Sequence, residues 1–91
     1  MNLKDARVLL TGAAGGIGAT TALQLARAGA QLVVADRNEA ALQKLCAEIG
    51  ARGGKAQPVV ADLASSTGRQ ALTEEATRRL GGVDLLVNIA G

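Results

Sequence analysis

The apolar run Val8, Leu9, Leu10 opens directly into Thr11-Gly12-Ala13-Ala14-Gly15-Gly16-Ile17-Gly18, and a segment of helical period follows. A strand whose successive side chains are all apolar is covered on both faces, as in a parallel sheet layered by helices. Where such a strand ends, the chain must turn sharply, and glycine supplies backbone conformations closed to other residues. This junction restricts the fold to alternating βα units.

The same alternation continues to the end of the sequence. The first strand is placed at Arg7 to Thr11, and the first helix from about Ile17 to Ala28, stopped by Gly29, a residue suited to the left-handed position after a helix. The second strand is Gln31 to Asp36. Asn38 is a good N-cap for a second helix whose Leu42, Leu45, Cys46 and Ile49 form an amphipathic stripe. Pro58 is expected at the first residue of a third, outer strand, Val59 to Ala61. Ser65, Ser66 and Thr67 introduce a third helix, with Gln70 at capping-box spacing from Thr67. The fourth strand is Val83 to Ile89. Right-handed crossovers predict a partial Rossmann fold, a three-layer αβα arrangement around a four-stranded parallel sheet in the order 3-2-1-4. Its switch-point crevice lies above the carboxyl ends of strands one and four, at Thr11 to Gly18.

Composition narrows the function classes. In 91 residues, 19 are alanine and none is aromatic, so the core is thin and marginal stability or help from a partner is expected. Ten basic and eight acidic residues are spread along the chain, without a basic cluster or a stacking ring, which speaks against nucleic acid. No apolar stretch approaches the ~20 residues of a membrane span. With no histidine and one cysteine, a metal site would need carboxylates alone, and Cys46 has no internal disulfide partner. A reducing cytoplasm is the expected setting.

The chemistry concentrates at the glycine turn. A helix N-terminus carries unpaired N–H groups and a partial positive charge, so it attracts phosphate wherever the backbone can come close. Gly12 turns the chain off the strand, Gly15 and Gly16 keep Cβ atoms away from a ligand, and Gly18 lets the helix pack on the sheet. The expected donors are the amides of Ala14 to Ile17. Asp36, ending strand two, is placed to accept hydrogen bonds from an adenosine ribose, or else is a helix-start carboxylate near Asn38. Arg37 either pairs with a 2′-phosphate or is a solvated surface charge. The carboxylate favours NAD over NADP. Asp62 and Leu63 end strand three on the same edge, where they contact adenine or, for Asp62, cap the following turn. Asn88, Ala90 and Gly91 end strand four at the crevice, Asn88 contacting ligand or satisfying neighbouring groups. Cys46 is read as core.

Together these residues resemble the short-chain dehydrogenase/reductase family, over the N-terminal half of its members. Thr11 to Gly18, with its threonine and Gly-Ile-Gly ending, is similar to that family's cofactor fingerprint. Asp36 stands at its cofactor-selecting position and Asp62-Leu63 at its adenine-contacting pair. Leu86-Val87-Asn88-Ile89-Ala90-Gly91 is similar to its Asn-Asn-Ala-Gly element, with Ile89 replacing the second asparagine. The resemblance implies dinucleotide contacts at Gly12, Ala14, Gly15, Ile17, Asp36, Asp62, Leu63, Asn88 and Ala90. It also implies a reaction in which a tyrosine transfers the proton, a lysine four residues later lowers its pKa, and a serine orients the carbonyl.

No tyrosine occurs in this chain, and those three positions fall beyond residue 91. The expectation is therefore a single NAD(P)-binding half-domain over residues 1–91, truncated before the catalytic region and not catalytically competent alone. A second reading is a remnant that binds nothing and self-associates, as a homodimer through the apolar edge of strand four at Val83, Leu85, Leu86, Val87 and Ile89. A third is an adenosyl-methionine domain, which also uses a glycine turn and a carboxylate after strand two. Thr11 and the Gly-Ile-Gly ending argue against it.

Overall fold

The computed structural model describes residues 2–89. Its elements are β1 (Arg7–Thr11), α1 (Gly16–Arg27), β2 (Gln31–Asp36), α2 (Glu39–Ala51), β3 (Lys55–Val60), α3 (Ser66–Leu80) and β4 (Leu85–Asn88). The four strands form one parallel sheet in the order β3-β2-β1-β4.

Successive side chains of a strand point to opposite faces, and this sorts the apolar runs into two cores. Val8, Leu10, Leu32 and Val34 face α1 and α2, where they meet Ala22, Leu42, Leu45 and Ile49. Leu9, Val33 and Ala35 face α3, where they meet Leu72 and Ala76. Helices on both faces give the three layers, and the continuous apolar runs of β1 and β2 are the mark of this double coverage. Cys46 packs half-buried against the α1/α2 core, and burial raises its thiol pKa.

Several boundaries differ from the sequence expectation, for identifiable reasons. α1 runs one residue earlier at each end, with Ala28 as a right-handed C-cap before Gly29 at φ 97°. β3 begins at Lys55, so Pro58 is an interior residue opposite Val34 rather than the first of its strand. Among the described residues β3 pairs with β2 alone, and an edge strand tolerates a missing N–H. The α3 cap is Ser65, whose Oγ accepts from the Gly68 N–H at 2.8 Å. This puts Gly68 at the third helical position, where a Cβ would stand 2.2 Å from the Asp62 carbonyl oxygen. The expected Thr67/Gln70 capping box is therefore absent, and the Gln70 amide instead donates to Glu74.

β4, Leu85–Asn88, is shorter than the expected Val83 to Ile89, and Asp84 ahead of it is engaged by Arg7. The Arg7 backbone N–H and guanidinium both donate to the Asp84 carboxylate, at 2.8 to 3.0 Å, and Arg7 Nη1 donates to the Gly81 carbonyl at 2.9 Å. These bonds hold the Asp84 carboxyl down to about 2. Leu85, Val87 and Ile89 pack against the α1/α2 core and Val83 against the α3 core, which leaves Leu86 as the exposed apolar residue of the strand at 60%. No helix of the described residues is long and apolar enough to cross a membrane.

Candidate functional site

The turn after β1 is fixed by close approach. Gly12 adopts φ 75°, and its N–H and that of Ala13 both donate to the Ala35 carbonyl, at 2.9 and 3.2 Å. A Cβ on Gly12 would lie 2.1 Å from the Ile89 carbonyl oxygen, and one on Gly18 would lie 2.2 Å from the Gly12 carbonyl oxygen. The helix start is thus pressed onto the turn, with Ala13 fully buried beneath it.

The outer side of the turn is the reverse. Around Gly15 and Gly16 a Cβ would meet nothing within 4 Å among the described residues. Gly15 is the N-cap of α1, no side chain among the described residues caps the helix, and its first turn holds no acidic residue. The first N–H groups of a helix have no intrahelical partner, so Gly16, Ile17 and Gly18 present donors at the positive end of the dipole. Ile17 stands beside them, 73% exposed.

Asp36 closes the site from β2. Its Oδ2 accepts from the Ala14 N–H at 3.0 Å, and its Oδ1 from the N–H groups of Arg37 at 2.7 Å and Asn38 at 3.3 Å. The carboxylate therefore joins two loops while also serving the start of α2, and Ala14 is not a free donor as the sequence reading expected. Asn38 caps α2 through the Ala41 N–H at 3.0 Å. Arg37 is exposed at the same edge.

The remaining predicted residues lie along the carboxyl edge. Asp62 Oδ1 accepts from the Ala64 N–H at 3.0 Å, the turn-capping role, and the Leu63 carbonyl accepts from Arg69 Nη1 at 2.9 Å. Asn88 Oδ1 accepts from the Thr11 hydroxyl at 2.7 Å, so it satisfies a neighbour, and its amide group remains at the crevice. Ala90 and Gly91 lie outside the described residues. A groove of about 350 Å³ on the α3 side links Leu63 and Arg69 to Thr11, Leu86 and Asn88. Sequence reasoning missed Arg69, because an arginine within a helix gives no signal that it will reach back to a loop carbonyl. A larger cavity, about 450 Å³ between Leu23, Arg27, Ile49 and Arg52, sits at the opposite end of the sheet and contains none of the predicted residues.

Comparison with known proteins follows the same outline. The profile of the family described as short chain dehydrogenase matches residues 6–91. A hydroxysteroid 11-beta-dehydrogenase 1-like protein of Xenopus tropicalis is 48% identical over 88 residues, covering 93% of this chain and 30% of its own. The crystal structure of a hydroxysteroid dehydrogenase from Escherichia coli superposes with a TM-score of 0.91 at 40% identity, covering 99% of this chain and 39% of that one. An NAD+-bound xylitol dehydrogenase superposes at 0.93 with 34% identity, covering 100% of this chain and 35% of that one. The chain spans between 15% and 33% of the length of the curated relatives that it matches. On its sequence, its strand order and its glycine turn alike, this chain belongs to the short chain dehydrogenase family.

Proposed function

We propose that residues 1–91 form a single NAD(P)-binding half-domain of a short-chain dehydrogenase, with NAD preferred over NADP. The observation that carries this reading is the bare start of α1, where Gly15 and Gly16 leave open space over uncapped amides. A diphosphate fits that donor set, being an anion that accepts backbone N–H bonds at the positive end of a helix. The Asp36 carboxylate, at the end of β2, fits the hydroxyls of a ribose and repels a 2′-phosphate. In this reading Gly12 and Gly18 shape the turn, Gly15, Gly16 and Ile17 hold the diphosphate, and Asp36 orients the ribose. Arg37 is placed to pair with a 2′-phosphate or stack on the adenine, Asp62 and Leu63 meet the adenine, and Asn88 contacts the ligand from the end of β4.

A bound nicotinamide supplies hydride chemistry in such proteins. The residues of this chain bind and orient, and without a tyrosine they provide no proton-transfer group for the family's reaction. The half-domain is accordingly proposed to be inactive alone, in a reducing cytoplasm where Cys46 remains a thiol. The test is an NAD titration followed by amide resonances. Shifts concentrated at Gly15, Gly16 and Ile17 support the reading, and shifts confined to other parts of the chain contradict it.

A second reading, self-association, rests on β4. Among the described residues this strand pairs with β1 alone and exposes Leu86, so its other edge and apolar side chain offer a surface for a second copy.

A further inference from the structure

Asp36 is not free to act as a ribose reader alone. Its carboxylate accepts three backbone N–H groups, and the bond to Ala14 crosses 22 residues of sequence to reach the turn that would hold a diphosphate. Ala14 lies between Ala13, fixed to the Ala35 carbonyl, and Gly15, the uncapped start of α1. On the outer side of the turn, a Cβ at Gly15 or Gly16 would meet no packing partner. The bond from Ala14 to Asp36 is therefore the last fixed point of the turn before the bare amides.

We propose that Asp36 is a positioning residue for the diphosphate turn, setting the direction of the Gly15 to Ile17 amides by holding the Ala14 N–H. This rests on the dinucleotide reading above and deepens it. It has a consequence opposite to simple electrostatics. A carboxylate beside a diphosphate repels it, so if Asp36 only read the ribose, its neutralisation would leave the affinity for a ribose-free diphosphate unchanged or raise it. If Asp36 holds the turn, the same change lowers that affinity. Asparagine is the informative replacement, because its Oδ1 can still accept from Arg37 and Asn38 while its Nδ2 group, a donor, faces the Ala14 N–H donor.

The experiment compares the wild-type protein with Asp36→Asn, and with Asp36→Ala as a second variant. It uses amide hydrogen exchange without ligand and titration with inorganic pyrophosphate, read from amide resonances. Exchange at Leu10 and Val33 reports whether the sheet is intact. In the wild type, Ala14 is expected to exchange at least about tenfold more slowly than Gly15 and Gly16, as for an amide bonded to a charged acceptor. In Asp36→Asn that protection is lost with the sheet intact, and the pyrophosphate affinity falls severalfold. Wild-type Ala14 exchanging as fast as Gly15 overturns the proposal without need of any variant. Pyrophosphate binding that is unchanged or tighter in Asp36→Asn, with NAD still bound by the wild type, overturns the proposal and leaves the dinucleotide reading standing. Failure of the wild type to bind either NAD or pyrophosphate overturns both.

Discussion

The hydroxyl of Thr11 donates to Oδ1 of Asn88 at 2.7 Å, tying the carboxyl ends of β1 and β4 together where the strand order changes direction. Thr11 is buried, so its hydroxyl has little access to water, and the bond fixes which way the Asn88 amide faces. Replacing Thr11 by valine keeps the shape and removes the donor. The expected cost is about 0.5–1.5 kcal/mol in urea unfolding, with no added loss when Asn88→Ala is combined with it. Equal stability of Thr11→Val and the wild type would show that the bond contributes nothing.

Two glycines of the turn predict opposite behaviour. A methyl group at Gly18 would press on the Gly12 carbonyl oxygen at 2.2 Å, a backbone atom that cannot swing aside, so Gly18→Ala is expected to destabilise by about 1–3 kcal/mol. At Gly15 the same methyl group meets open space, and φ is −76°, an ordinary value for alanine. Gly15→Ala is expected to leave stability within about 0.5 kcal/mol while weakening NAD binding, because the added group occupies the ligand's approach. Chemical unfolding and calorimetry on the two variants check this separation.

The pair of Arg7 and Asp84 predicts a response to acid. Hydrogen bonds from the Arg7 side chain and backbone lower the folded-state pKa of Asp84 from 3.8 to about 2. A carboxyl group depressed on folding contributes stability that is fully present above its unfolded value and is lost as pH falls through the folded one. The Asp84 contribution is thus intact at pH 5 and disappears between about pH 4 and pH 2. Both side chains are substantially exposed, so the effect is moderated by solvent and weakened by salt. Urea midpoints measured across this range should fall more steeply for the wild type than for Asp84→Asn. Parallel curves would contradict the assignment.

Much of the architecture was legible in the sequence because it follows from period and punctuation. Unbroken apolar runs marked β1 and β2, and Asn38 marked the start of α2 at the residue that caps it. Structure and sequence signal part where tertiary contacts override local preferences. Gly68 packs against the Asp62 carbonyl, which selects Ser65 over Thr67 as the cap of α3, and one-sided pairing of β3 lets Pro58 sit inside the strand. At the site, the glycines and Asp36 were legible from their spacing, whereas the bond from Asp36 to Ala14 joins residues on separate loops and leaves no local trace. Sequence alone leaves Asp62 and Asn88 open between ligand contact and local satisfaction; Asp62 accepts from the Ala64 N–H and Asn88 from the Thr11 hydroxyl, bonds that are compatible with either role.

The exposed edge of β4 predicts association. Pairing of two such strands about a two-fold axis would cover Leu86 and satisfy unpaired backbone groups. Sedimentation at micromolar concentration is expected to show a dimer, which Leu86→Lys shifts toward monomer. A wild-type protein that sediments only as a monomer contradicts this interface.

In the proposed function, the uncapped amides beside Gly15 and Gly16, with Asp36, bind a nicotinamide dinucleotide. Isothermal calorimetry with NAD, paired with thermal unfolding at saturating ligand, measures it most directly. A single binding event is expected, with stabilisation of about 2.7 kcal/mol when NAD is present at 100 times its Kd. No heat of binding and no shift of Tm with NAD, NADH or NADP at millimolar concentration would contradict it.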